Sequence, residues 1–436
     1  MINLIKKLLI YIFYIFFSMP LMAYTSSTFL ISQSAFKNYD YSEALISFNT
    51  SDIKISSNIL LNKAISAIIT EDLDLAYKIA NEILINDNEN QEAYIIKLAY
   101  FYINNKNEKL KEFYSKSNVK NELVDYIFFN NDELKKNVTI SNQLVDIAVS
   151  SYSNADSNLL NYNFLLFYVS LGKLINPNND RATLIKGELF QNLKKDKIAR
   201  EIFLSIDSNS PFYIEAQQSL AYNYSSFLKF EEAVLKIQKL LDNTNNNYFI
   251  KKILADFYRF EKKYDLAIPI YNSLIEEKRD DLWNIYYMLG ICYERLNNWN
   301  EAEDYFLTSL EIKPDSSNVL NYLAYGWVDR GIKLDRSLEM LKKAYKSNPD
   351  SFYIIDSLAW AHYKKNNLYE AARLMEMVID MAPGEAISLD HLGDIYYDMN
   401  RKREAIYLWQ QALELAEPQD EIEENVQSKL NKFNAG

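Results

Sequence analysis

A small residue recurs every 34 or 35 positions through the second part of this 436-residue chain, and few features restrict a fold more tightly. Gly187, Ala221, Ala255, Gly290, Ala324, Ala359 and Gly393 lie 34, 34, 35, 34, 35 and 34 residues apart. A second small series, Ala199, Ala233, Ala267, Ala302, Ser337, Ala371 and Ala405, follows 12 or 13 residues behind it. Four residues further on stand Phe203, Ile237, Tyr271, Phe306, Leu341, Met375 and Trp409. A period of this length holds one helix–turn–helix unit. The small residues let two helices approach closely, and the large one fills the gap between them. Leu289 and Tyr293 fall on one helical face with their core neighbours. Pro314, Pro349 and Pro383 stand where the second helix of a pair must stop. Gly and Pro, at 8 each, are too scarce for turn-rich β folds, and no strand-like alternation stands out. The expected fold is all-α, a right-handed α-solenoid of stacked helix pairs. One pair alone cannot fold, because ordering about 34 residues costs on the order of 50 kcal/mol at ~1.5 each. Stacking makes the core continuous.

The clearest unit is DLWNIYYMLGICYERLNNWNEAEDYFLTSLEIKPDS. Its Leu289-Gly290, Tyr293, Ala302, Phe306 and Pro314 sit at the offsets of the tetratricopeptide (TPR) repeat, and it resembles one. Seven such repeats are expected over 180–419. Residues 24–120 read as divergent repeats, with Ala44 and Phe48, then Ala76 and Ala80, at second-helix positions and a third pair near Leu98 to Tyr114. Residues 121–179 read as an irregular helical region without a clean period. The tracts Asn176 to Asp180 and Asn243 to Asn247 read as loops, and 420–436 as a charged capping helix.

Residues 1–23 read as an address. Lys6 and Lys7 precede an apolar run from Leu8 to Phe17, which Ser18, Met19 and Pro20 break before Ala23. That is the order of a cleaved secretory signal peptide. The run is short for a membrane span, although an uncleaved inner-membrane anchor is the alternative. No cysteine follows it, so a lipid anchor is not expected. The expected location is periplasmic or secreted.

The formal net charge is −12 and the pI about 5.0. A body this acidic repels phosphate backbones, which argues against nucleic acid as a partner. Cys292 is the one cysteine, so no intrachain disulfide forms. His362 and His391 are the only histidines. Walker A, G-x-G-x-x-G, H-E-x-x-H, G-x-S-x-G and C-x-x-C patterns are missing. No catalytic residue, metal or cofactor is expected, nor a small-molecule substrate. Asp390, His391 and Asp394 could suggest a weak metal site, but they read better as surface positions of a first helix. Cys292 and His362 read as packing residues.

The acting surface is expected on the concave face, lined by first helices at offsets −6, −3, +1, +4 and +5 from the small residue. Those positions include Asn284, Tyr287, Asn321, Tyr325, Asp356, Trp360, Tyr363, Asp390, Asp394 and Tyr397. Exposed Tyr and Trp beside Asn and Asp would suit a partner segment that is basic or neutral.

The phrases Asn321-Tyr322-Leu323-Ala324-Tyr325, Asp329-Arg330-Gly331, Asp356-Ser357-Leu358-Ala359-Trp360 and Asp390-His391-Leu392-Gly393-Asp394, with Trp409, resemble a family of proteobacterial cell-envelope TPR proteins. Its members include the adaptor that brings a periplasmic C-terminal processing protease to peptidoglycan hydrolases. The resemblance covers residues 318–415. It implies a non-enzymatic scaffold or adaptor, with a periplasmic protease or peptidoglycan enzyme as partner. The other reading is a structural subunit of an envelope assembly or polysaccharide-export machine.

Overall fold

The computed structural model describes residues 28–49, 56–116, 122–130, 133–154, 160–417 and 422–434. The address at 1–23 lies outside the described residues. The chain forms two compact units, which divide between Ile250 and Lys251. That division falls inside 180–419, beside the Asn243 to Asn247 tract.

Both units are built from antiparallel helix pairs, and the pairing follows from the periodic small and large residues. All seven residues of each series are buried, the large one included. Where the large residue is Phe203, Phe306 or Trp409, glycine faces it. A Cβ placed on Gly187, Gly290 or Gly393 would lie 2.4, 2.5 and 2.5 Å from those rings. Alanine stands at the matching position for the slimmer Ile237, Leu341 and Met375. Tyr271 also pairs with an alanine, and its hydroxyl donates to Asp256 Oδ1 at 2.6 Å.

The turn is equally regular inside six of these seven pairs, the exception being Tyr213–Phe227 with Phe230–Asn243, where Leu228 is extended at φ −104°. Lys194, Lys262, Asn297, Gly331, Asn366 and Asn400 have positive φ, from 56° to 67°. The residue after each positive-φ position donates back five positions, as Asn298 N does to Tyr293 O at 2.9 Å and Asn367 N to His362 O at 2.9 Å. These are Schellman closures, which satisfy carbonyls that the helix end leaves open. Tyr39, Glu71 and Asn105 close the same way, with Asp72 N donating to Ala67 O at 2.7 Å. The helices at 28–37, Tyr41–Asn49, Ser57–Ile69, Leu73–Asn86, Gln91–Ile103 and Asn107–Lys116 therefore form three pairs with the turn of the later repeats.

In the first unit, Glu122–Phe128 ends in a two-residue antiparallel ladder, Phe129↔Leu134 and Asn130↔Glu133. The sequence reading anticipates no strand, because segments of two residues are too short to show alternation. The Asn137–Asn154 and Tyr162–Ile175 helices approach closely at Gly172, whose carbonyl accepts from Ser141 Oγ at 2.7 Å. Asn179 begins the Asp180–Asn192 helix by accepting from Ala182 N, while its Nδ2 donates to Ser141 Oγ at 2.7 Å.

This unit also departs from nearest-neighbour stacking. Tyr41 donates to Asn163 Oδ1 at 2.8 Å and meets Phe190 edge-on at 6.3 Å. The buried Lys186 ammonium donates to Ile69 O and Glu71 Oε1, both at 3.0 Å. The early pairs thus fold back on helices more than a hundred residues later, where repeat stacking alone would keep contacts between neighbours.

The second unit continues as helix pairs Leu282–Arg295 with Trp299–Ile312, Ser317–Asp329 with Leu334–Ser347, Phe352–Lys364 with Leu368–Met381, and Ala386–Asp398 with Lys402–Leu415. Pro314, Pro349 and Pro383 each lie two residues beyond a second helix. The Glu423–Asn434 helix buries Val426 and Leu430 in the core cluster that holds Leu408 and Trp409.

Candidate interaction surface

Of the ten positions expected to line a groove, the structure buries half. Tyr287, Asn321, Asp356, Trp360 and Asp390 are buried, Asn284, Tyr325, Tyr363 and Asp394 are half-buried, and Tyr397 is exposed. The expectation of an open aromatic face is corrected here, and the cause lies in one repeated contact. In five of the repeats the residue three before the small position reaches the next helix in the stack. Gln218 Nε2 meets Asn247 Oδ1 at 3.5 Å, and Lys252 Nζ pairs with Asp281 Oδ2 at 2.7 Å. Tyr287 meets Tyr322 edge-on at 5.5 Å. Asp356 accepts from Ser388 Oγ at 2.6 Å and contacts His391 Nδ1 at 3.0 Å. Asp390 accepts from Lys429 Nζ at 2.7 Å. A first-helix position that faces a groove in one repeat is thus the staple to the next.

These staples join into one network at the end of the second unit. The His391 ring stacks on Trp360 at 4.0 Å, and Trp360 stacks on Tyr363 at 4.7 Å. Tyr363 donates its hydroxyl to Asp398 Oδ2 at 2.8 Å. Asp394 accepts from Trp409 Nε1 at 3.1 Å and pairs with Lys429 Nζ at 2.6 Å. Tyr397 lies over Trp409 at 5.5 Å. Asn321 Oδ1 and Trp360 Nε1 are buried without a hydrogen-bond partner.

The electrostatics follow the geometry. Burial lowers the His391 pKa, but the carboxylates of Asp356, Asp390 and Asp394 outweigh it and hold the ring above its ordinary value. Burial and the Asp390 charge raise Asp394, against the opposing pull of Lys429. His391 and Asp390 are interior groups, not the surface positions expected from sequence. His391 turns to Asp356 while Lys429 bridges both aspartates, so the trio does not converge on an ion. Among the described residues no group of three or more His, Cys, Asp or Glu could hold a metal.

Cys292 is buried, and burial pushes its thiol up to about 12, which suits a packing role. Burial lowers the His362 pKa, and its Nδ1 is enclosed without a partner. Sequence reasoning missed Ser388, Asp398 and Lys429 as members of the network. Their partners are set by helix stacking, and only the recurrence of Asp356 and Asp390 at one register position hinted at it.

The +1 positions behave differently in the first unit. Glu188 and Tyr222, the counterparts of Trp360 and Asp394, are exposed, Tyr222 by 54%. The +1 register is therefore filled by mutual packing at Trp360 and Asp394 in the second unit and open at Glu188 and Tyr222 in the first.

An all-α run of helix pairs with this turn, this register and stacked first helices defines the class: the chain carries tetratricopeptide repeats. Family profiles described as tetratricopeptide repeat match residues 283–316 and 386–417. Over 120 residues the chain is 28% identical to a TPR repeat-containing protein of Pseudomonas aeruginosa, covering 28% of this chain and 20% of that one. Over 98 residues it is 29% identical to the BBSome complex member BBS4 of Mus musculus, covering 22% and 18%. The chain thus spans about a fifth of the length of these curated relatives. Among solved structures it resembles yeast Tom70, with 14% identity, TM-score 0.41 and coverage of 95% and 96%. It also resembles the APC/C hetero-tetramer Cut9–Hcn1, with 13% identity, TM-score 0.48 and coverage of 93% and 83%.

Proposed function

We propose that the protein is a non-enzymatic scaffold or adaptor of the bacterial cell envelope, which holds a partner protein against its stacked first helices. The observation that carries this reading is the tandem array itself. It repeats one register of outward positions along successive helices, and at Glu188 and Tyr222 that register is open to solvent. Repeat arrays use such extended faces for binding. Envelope location rests on the sequence order of residues 1–23, and the partner class, a periplasmic protease or peptidoglycan enzyme, on the resemblance over 318–415. Among the described residues no helix is long and apolar enough to cross a membrane.

The test is expression of the tagged full chain in a bacterial host, followed by crosslinking and pull-down from the envelope fraction. The expected result is an exported protein, shortened to about Ala23, that recovers a protease or hydrolase. Recovery of a membrane channel instead would favour a structural subunit of an export machine. Protein found in the cytoplasm with Met1 intact would remove the envelope reading.

A further inference from the structure

The open part of the register is also the site of a cleft of about 560 Å³ within the first unit. It runs across the Asn137–Asn154, Asp180–Asn192 and Tyr213–Phe227 helices, with Leu165 of the Tyr162–Ile175 helix also lining it. Leu165 and Leu189 form a buried apolar floor, and Tyr152 and Tyr222 stand beside it, 42% and 54% exposed. A cleft of this size holds one or two large side chains, within the range of ordinary ligand sites of roughly 300–1,000 Å³.

One cation and one anion line the cleft, and only the anion, Glu188, is left without a counter-ion. Its one cation, Arg181, is bound to Asp146 at 2.7 Å. Glu188 has no ion pair, and the Glu215 carboxylate is close enough to act on it. The cleft walls and that neighbouring charge push the Glu188 carboxyl above the ordinary range. A cation entering here would relieve the repulsion between the two glutamates. Amide side chains, Gln191, Asn192 and Gln218, line the same trough, and Gln191 Oε1 is enclosed without a hydrogen-bond partner. A second copy of this chain, with net charge −12, is a poor match for such a surface.

We propose that this cleft takes an extended segment of a partner protein in which a lysine or arginine stands next to an aliphatic side chain. The aliphatic group sits on the Leu165 and Leu189 floor between the two tyrosines, and the cation faces Glu188, with the Glu215 charge behind it. The amides along the trough meet the segment's main chain. This rests on the scaffold reading and assigns its contact to the first unit rather than to the filled network around Trp360.

The test is a fluorescence-anisotropy titration of the full chain with three fluorescein-labelled peptides, GSALKLKASG, GSALELEASG and GSASKSKASG. The first should bind at least tenfold more tightly than either of the others. Glu188→Gln should weaken it at least fivefold and flatten its salt dependence, and Tyr222→Ala should weaken it at least tenfold. Both replaced side chains are exposed, so circular dichroism should be unchanged, and Tyr369→Ala, 85% exposed on a helix of the second unit, should bind normally. Equal binding of the lysine and glutamate peptides, no binding of any, or indifference to both variants overturns the proposal. So does full displacement of the peptide by free arginine, which marks a small-molecule site. An envelope partner still captured by both variants refutes the cleft and keeps the scaffold. Peptide binding that the variants abolish, with no envelope partner captured, keeps the cleft and refutes the envelope adaptor.

Discussion

Gly290 sits under the ring of Phe306 with no room for a methyl group, since a Cβ there would lie 2.5 Å from the ring. Gly290→Ala should therefore destabilise the protein by about 1–3 kcal/mol through overpacking. Combining it with Phe306→Leu reproduces the Ala324 and Leu341 pairing found one repeat later, so the double variant should melt above Gly290→Ala alone. A double variant that melts lower would show that ring and glycine are not matched. His391 supports a second prediction at this scale. Its folded pKa is raised, so its pairing stabilises fully below the unfolded value of about 6.5 and is lost as pH rises through the folded value. The groups facing it are Asp356 on the preceding first helix, Asp390 and Asp394 on its own, and Lys429, which holds those two, on the last helix. Thermal melts from pH 6 to 8 should show a steeper loss for the native chain than for His391→Gln. Parallel curves would mean that the ring contributes no such linkage.

At the scale of elements, the Glu423–Asn434 helix packs on the Ala386–Asp398 pair in the manner of a next first helix. Lys429 stands to Asp390 as His391 stands to Asp356, and Val426 and Leu430 cover the core around Trp409. The side chain of Asp390 is 7% exposed and that of Lys429 18%. Lys429→Gln would leave two aspartates facing each other without a cation. The expected cost is about 1–3 kcal/mol, below that of a fully buried pair because water still reaches Lys429. Hydrogen exchange should quicken first in the Ala386–Asp398 helix, and unchanged protection there would count against the staple. The turns at 39, 71 and 105 show that an element can be regular where its sequence is not. Tyr39, Glu71 and Asn105 share one backbone conformation with little in common chemically, so no residue pattern announced it.

For the whole molecule, the fold-back of the first unit is the feature that a repeat reading does not supply. Lys186 is buried between Ile69 O and Glu71, at contacts 117 and 115 residues away in sequence. Lys186→Met should free the Ser57–Ile69 and Leu73–Asn86 helices from the later pairs, with an expected loss of about 1–3 kcal/mol from the unsatisfied carbonyl and the lost charge-assisted bonds. Limited proteolysis would then cut the segment before residue 116 sooner, while the repeats after Lys251 keep their rate. Equal cleavage of the native chain and the variant would show that the contact does not hold the early pairs.

The helix pairs from 180 onward could be read from the sequence, because the small and large residues that specify each pair lie within about 16 positions of one another. So could the proline stops, the absence of disulfides and the packing role of Cys292. The groove was legible only as a register. Whether a given position in it is open depends on the side chain that the next helix brings, some 30 to 40 residues on, as Ser388 and His391 do for Asp356 and Lys429 does for Asp390. Stacking therefore buried Trp360 and left Tyr222 in solvent, although both stand one residue after the small position. Local periodicity is enough to determine a helix pair, whereas burial is a property of neighbours, and only the folded chain chooses those.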